Sequence, residues 1–303
     1  MWPADEVVRA LTERGDLWQT APGLTGMRGS TASLRAELER AIGALVLDET
    51  VEKWSVPPAI PLEMLERADY FASFPQWLTV AAHLDADVES MQRVATAASP
   101  ALACSRALAP AKVALMPAVC YHVYAALADR VLPAARRIAV RGTCWRHEGE
   151  RLAALERGWA FTMLEVVCLG SPSDVQEFLA CGAQRATDFA RALGLSATIA
   201  EASDPFFAPN GRGKALLQRM KRLKCELLLP LDSERAIAAA SFNDHQAFFG
   251  ESFGIRDADG APISTGCIAF GIERWLLALL AAYGPEPEGW PTIERLVSIP
   301  GEY

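Results

Sequence analysis

After residue 135 the chain carries five strand-like runs, and only one long helix interrupts them. The runs are Arg137–Trp145, Phe161–Leu169, Glu226–Leu231, Ala236–Asn243 and Ile263–Phe270. About fifteen polar and small residues separate the first two, enough for a pair of antiparallel strands joined by a long loop. The helix opens at Ser171-Pro172-Ser173-Asp174, with Ser171 as N-cap and Pro172 at the first helical position. Its apolar stripe (Val175, Phe178, Leu179, Ala186, Phe189, Leu193) runs to Gly194, a residue suited to follow a helix C-terminus. A closing helix is expected over Ile272–Tyr283, with Gly284 beyond it. Strands grouped in this way, without βαβ alternation, predict an α+β fold with an antiparallel sheet flanked by helices.

The first fifty residues read as helix and turn. Leu34, Leu38, Ile42 and Leu45 fall at helical spacing within Leu34–Leu47. Val56-Pro57-Pro58 closes this region, because a residue before proline leaves the α region. Tyr70–Trp77 reads as an irregular connection anchored by Phe71, Phe74 and Trp77. A single domain over residues 1–303 is expected, with 1–55 as an N-terminal helical segment packed on it.

The 303 residues suffice to bury a large core without disulfide or metal support. With 29 basic and 37 acidic residues, the net charge of −8 argues against a nucleic-acid binder. The densest basic run, Arg219-Met220-Lys221-Arg222-Leu223-Lys224, reads as a solvated helix face. The N-terminus lacks a signal-peptide layout, and Trp275–Tyr283 is too short an apolar stretch to span a bilayer. A cytoplasmic protein is expected. The seven cysteines are widely spaced and contain no C-x-x-C, so a disulfide framework is not expected. A metal site would have to be assembled from distant parts of the chain.

Asn210-Gly211-Arg212-Gly213-Lys214 fails as a P-loop: Ala208 stands at the first glycine and Ala215 replaces the magnesium-binding Ser/Thr. Two other stretches carry chemistry. Arg146-His147-Glu148 ends a strand, where an arginine fork can grip a phosphate and a glutamate can accept from an amino group; a surface ion pair is the simpler account of the triplet alone. In Ser264–Arg274 a buried strand turns through Gly271 into an apolar helix with Arg274 in its first turn. The helix dipole disfavours arginine there unless an anion binds, or the side chain turns to solvent.

Together these two stretches resemble the second and third signature motifs of class II aminoacyl-tRNA synthetases. The closer resemblance is to amino acid:carrier-protein ligases, relatives of the atypical archaeal-type seryl-tRNA synthetases. Ala68–Pro75, Met116–Tyr121, Cys225–Pro230 and Ala240–Gly250 carry it further, in the family's order and over most of the chain. The resemblance implies a class II synthetase-like catalytic domain without a tRNA-binding arm. It implies zinc held by Cys120, Glu165 and Cys267, with an open corner for the substrate's α-amine. Arg146 and Arg274 would be the catalytic arginines, on the α- and γ-phosphates of ATP. Glu148, Arg157 and Phe161 would complete the nucleotide site, and Ser241 and Asn243 would face the amino acid.

The implied reaction is ATP-dependent activation of glycine, alanine or serine, with magnesium. Transfer to the phosphopantetheine thiol of a carrier protein follows, by a homodimer acting on no tRNA and no membrane. The chain departs from the family at Thr162 and Leu164, where arginines are usual, at Val166, where an aromatic usually stacks on adenine, and at Ala238–Ala240, where an acidic metal ligand is common. These departures keep open a paralogue that binds zinc and amino acid but acts as a partner or regulatory subunit. A tRNA-charging enzyme is the remaining alternative.

Overall fold

The computed structural model describes residues 1–46, 48–85, 87–207 and 211–293. Leu47 at the end of the expected first helix, Ala208 and Asn210 of the rejected P-loop, and residues 294–303 of the expected domain lie outside the described residues.

A seven-stranded sheet organises the chain: β1 Val51–Ser55, β2 Arg136–Trp145, β3 Ala160–Gly170, β4 Thr198–Glu201, β5 Lys224–Pro230, β6 Ala236–Gln246 and β7 Ser264–Gly271. The spatial order is β1-β2-β3-β7-β6-β5-β4. The pairing is antiparallel from β2 to β4, as the sequence predicts, while β1 lies parallel to β2 at one edge. Residues 1–55 are therefore more than helix and turn. They supply β1 and also a hairpin, Leu17–Ala21 with Leu24–Met27. Gly23, at the hairpin's turn, has φ +73° and accepts Trp159 N–H at 2.8 Å. A Cβ there would come 2.6 Å from that nitrogen, so the contact requires glycine.

Three long helices, α1 (Gly29–Val46), α2 (Pro172–Ala192) and α3 (Ile272–Tyr283), cover one face. Ser171 caps α2 as expected: its Oγ accepts Asp174 N–H at 3.2 Å, and Asp174 Oδ2 accepts Ser171 N–H at 2.8 Å. At Gly182 this helix lies so near β7 that a Cβ would sit 2.1 Å from Ile268 Cδ1. Ile272, Trp275, Leu276, Leu279 and Leu280 of α3 are fully buried, which accounts for the strong apolar stripe. Removing that surface from water stabilises each of these side chains by about 2 kcal/mol.

The opposite face carries a second core, built with the short helices Cys120–Ala126 and Phe248–Phe253. The central strand β3 is divided between the two cores. Leu164, Val166 and Cys168 pack against the long helices, and Met163, Val167 and Leu169 belong to the other side. A strand buried on both faces has no polar alternation, hence its unbroken apolar run.

Two sequence readings are revised. Tyr70–Trp77 contains two single helical turns, Tyr70–Ser73 and Pro75–Trp77. Phe71 is exposed, while Phe74 and Trp77 stack at 5.4 Å. The basic run does not form one solvated face: its helix stops at Met220, and Lys224 opens β5 with its ammonium turned inward. Among the described residues no helix is long and apolar enough to cross a membrane.

Candidate active site

The face of the sheet away from the long helices holds a cleft of about 1210 Å³, its open mouth included. Alternation along each strand decides which residues reach it. On β3 these are Phe161, Met163 and Glu165; on β7, Cys267, Ala269 and Gly271; on β6, Ser241, Asn243 and His245; on β5, Lys224 and Glu226.

Cys120 begins a helix beneath the cleft, and its thiol meets Glu165 and Cys267 there. One donor atom from each of the three lies within 4.8 Å of the others, and all three residues are buried. Cys267 Sγ is 3.2 Å from Glu165 Oε2, and Glu165 Oε1 accepts Val119 N–H at 3.2 Å. Contact with Cys267 pulls the Cys120 thiol down, but burial and the Glu165 charge push it up to about 11. Contact with Cys120 and burial raise Cys267 well above the usual thiol range. Two thiols and a carboxylate are thus packed together with no cation in hydrogen-bond contact among the described residues. This donor set fits a divalent, thiophilic ion, which would supply the missing positive charge and favour both thiolates.

Toward the other end of the cleft stand two arginines with no carboxylate partner among the described residues. Arg146 donates Nε to Pro117 O at 3.0 Å and Nη2 to Met163 Sδ at 3.9 Å, and its guanidinium lies over the rings of Trp77 (5.3 Å) and Phe161 (5.5 Å). Arg274 donates to Glu156 O at 2.9 Å and Ala238 O at 3.0 Å. Burial lowers the pKa of Arg274, and repulsion from Arg146 and Arg157 lowers it further. Two guanidiniums that no carboxylate contacts among the described residues, one of them in the first turn of α3, form an environment suited to an anion. Glu148 is held by Arg157 at 2.9 Å. Asn243 donates to Ser241 Oγ at 3.1 Å and to Cys267 O at 3.4 Å, so this amide is fixed against the strand that carries the thiol.

The structure therefore gathers Cys120, Arg146, Glu148, Arg157, Phe161, Glu165, Ser241, Asn243, Cys267 and Arg274 around one cleft. Comparison with known proteins gives this arrangement a family. No family model matches the chain. Over 298 residues it is 35% identical to amino acid--[acyl-carrier-protein] ligase 1 of Bradyrhizobium diazoefficiens, spanning 96% of this chain and 90% of that protein. The chain belongs to the amino acid--[acyl-carrier-protein] ligase family. Ligase 2 of the same organism is 36% identical over 279 residues, and a type-2 serine--tRNA ligase of Methanopyrus kandleri is 30% identical over 200. Among solved structures, M. kandleri SerRS in complex with A. aeolicus tRNASec superposes with a TM-score of 0.85 at 23% identity, covering 96% of this chain and 60% of that one. The cytoplasmic serine-tRNA ligase of Naegleria fowleri, in complex with AMP, gives 0.72 at 13% identity, covering 97% and 65%. The fold is that of a class II synthetase catalytic domain.

Strand geometry changes the meaning of the departures from the ligase family's pattern. Thr162, Leu164 and Val166 occupy the even positions of β3, which face the long helices. Leu164 and Val166 are buried in that core, and Thr162 Oγ1 accepts from Arg35 of α1 at 2.5 Å. None of the three lines the cleft, where Phe161, Met163 and Glu165 stand instead. Sequence reading missed other residues of the cleft. Lys224 is clamped between Asp204 (2.5 Å) and Glu226 (3.2 Å). His245, Tyr121 and Phe249 border the metal-ligand group. The inward turn of Lys224 was available from strand alternation, because it precedes Glu226 by two; the role of Asp204 depends on a loop and left no local signal.

Proposed function

We propose that this ligase joins a small amino acid to AMP at the expense of ATP, then passes the aminoacyl group to the phosphopantetheine thiol of a carrier protein. The supporting observation is the pairing, on one sheet face, of the Cys120–Glu165–Cys267 donors with two arginines that have no carboxylate partner. Bound at those donors, zinc would supply a Lewis-acid site for a neutral α-amine. Arg146 orients the α-phosphate and Arg274 the γ-phosphate end of ATP, which enters with magnesium. Phe161 offers a ring to the adenine, and Glu148, steadied by Arg157, accepts from its amino group. Asn243 and Ser241 position the amino acid.

In the first step a carboxylate oxygen of the amino acid attacks the α-phosphorus, and pyrophosphate departs. In the second the carrier's thiolate attacks the carbonyl carbon, and AMP leaves. Positioning and charge stabilisation do most of this work. The reading includes a homodimer in the cytoplasm. The altered residues of β3 lie behind the sheet, which speaks against an inactive paralogue, whereas Ala238, Ala239 and Ala240 line the cleft.

The test is ATP–pyrophosphate exchange with glycine, alanine and serine, followed by transfer of radiolabelled amino acid to phosphopantetheinylated carrier proteins and, in parallel, to tRNA. Exchange with at least one amino acid and label on a carrier are expected. Label on tRNA alone would move the reading to a synthetase; no exchange at all would end it.

A further inference from the structure

Alternate residues of β7, on the side of the sheet that holds the cleft, form a line. Gly271 lies at the nucleotide end beside Arg274, Cys267 carries the metal-ligand group, and Thr265, fully buried, follows it beneath the cleft lining. Thr265 Oγ1 is 3.4 Å from His245 Nδ1. A bulge in β6 brings the imidazole there: Asp244 pairs with Gly266 and Gln246 with Thr265, leaving His245 as the extra residue, and Gln246 takes φ +51°. Bulges of this kind re-aim a side chain.

The imidazole is held firmly. Nδ1 is also 3.3 Å from the hydroxyl of Tyr124, a fully buried residue. The His245 ring stands edge-on to Phe249 at 4.8 Å. Phe249 in turn stacks on Tyr124 at 4.1 Å and meets Tyr121 edge-on at 6.0 Å. Burial draws the pKa of His245 down to about 4, so the ring is neutral at pH 7. The cleft therefore ends, past the metal ligands, in a rigid wall of uncharged rings.

We propose that His245, backed by Phe249, is the stop that fixes how long a side chain the substrate amino acid can carry. The inference rests on the ligase reading. An amine at the metal-ligand group and a carboxylate turned to the arginines use two of the directions from the substrate's Cα. The side chain is left pointing along β7, toward His245. The two strand residues from Cys267 to Thr265 cover about 7 Å, which accommodates an amine, a Cα and one or two further atoms. Glycine, alanine and serine fit; norvaline and leucine, whose chains reach a third atom beyond Cα, meet the wall.

The experiment measures ATP–pyrophosphate exchange with glycine, alanine, serine, norvaline and leucine for the wild-type chain, His245→Ala and Phe249→Leu, with zinc content and thermal melting as checks on folding. The ratio of kcat/KM for norvaline or leucine to that for glycine should rise about tenfold or more in His245→Ala, the usual worth of space for a methylene. If His245→Ala does not fold, the smaller change Phe249→Leu should move the ratio in the same direction. An unchanged ratio in a folded, exchanging variant overturns the assignment. So does wild-type exchange with norvaline or leucine as good as with glycine. Absence of wild-type exchange with every amino acid fails the ligase reading instead, and takes this inference with it.

Discussion

Cys267 Sγ and Glu165 Oε2 lie 3.2 Å apart, although 102 positions separate the two residues in sequence. Antiparallel pairing of β7 with β3 sets Ala269 opposite Glu165, and Cys267 follows two residues away on the same face. With Cys120 close by, two thiols and a carboxylate form one buried group of donors within 4.8 Å of one another. Protein purified without chelator should therefore carry about one zinc per chain, and Cys267→Ser should lose it. Loss of a direct ligand should cost more than the roughly 10–100-fold in metal affinity expected for an outer-shell partner. Elemental analysis of both proteins decides the point; full zinc occupancy in the variant would refute the site.

Arg274 is held by two backbone carbonyls rather than by an acid. Arg274→Ala should lower kcat/KM for ATP in pyrophosphate exchange by about 10²–10³, while zinc content stays at the wild-type level. Arg146→Lys should fare little better than Arg146→Ala, because a lysine cannot reproduce the planar fork over Trp77 and Phe161. An Arg146→Lys enzyme with normal exchange would contradict this account of the nucleotide site.

Leu164→Arg restores a family-typical arginine to β3, but on the side of the sheet facing the long helices, where Leu164 is 6% exposed. It should destabilise the fold by about 3 kcal/mol or more without improving the KM for ATP. Urea denaturation and exchange kinetics on the same preparation test both halves of the statement.

Arg35 ties α1 to the site. It reaches Glu39 at 3.0 Å, Glu273 at 3.2 Å and Thr162 at 2.5 Å, while Glu273 also accepts Thr162 N–H at 2.8 Å. Arg35→Ala takes a guanidinium from two partly buried carboxylates, leaving Glu39 to Arg141 and Glu273 to the Thr162 N–H, and thermal unfolding should report a loss of about 1–2 kcal/mol. Because Glu273 adjoins Arg274, the KM for ATP should rise too. Unchanged melting would show that the network adds nothing.

Lys224 and Asp204 set a pH window. Burial would raise the Asp204 carboxyl, but Lys224 and Gln218 more than reverse this and hold it below 3.8. Its stabilising contribution is present above that value and disappears as pH falls through the lower folded-state pKa. Burial would lower Lys224, but Asp204 and Glu226 keep it above 10.5; its contribution is present below that value and is lost at higher pH. Lys224→Met should therefore cost most, about 3 kcal/mol, between roughly pH 4 and 10. The urea midpoints of mutant and wild type should converge in stronger acid, and a constant gap down to pH 2 would exclude this pairing.

Much of the site was legible because its signals are local. Ser171, Pro172 and Gly194 delimit α2 through cap chemistry, and the turn from β7 into α3 placed Arg274. The hairpin around Gly23 escaped notice because its strands are short and its decisive contact, with Trp159, is remote in sequence. Phe71 was misjudged because hydrophobicity alone does not say which side of a single helical turn is covered. The placement of Thr162, Leu164 and Val166 required knowing which face of a fully buried strand is the cleft, and an apolar run carries no mark of it. His245 needed the β6 bulge, a property of two strands together.

The division of β3 between cleft and helices also governs how its gene can drift. Exchanges among Leu164, Val166 and Cys168 alter only packing behind the sheet and should be repaired by neighbours. Removal or insertion of a single residue between Phe161 and Glu165 is another matter. It would shift the strand by one step and turn every later side chain over, presenting an aliphatic chain to the two thiols and driving Glu165 into hydrocarbon. The length of this segment is therefore guarded more strictly than its composition.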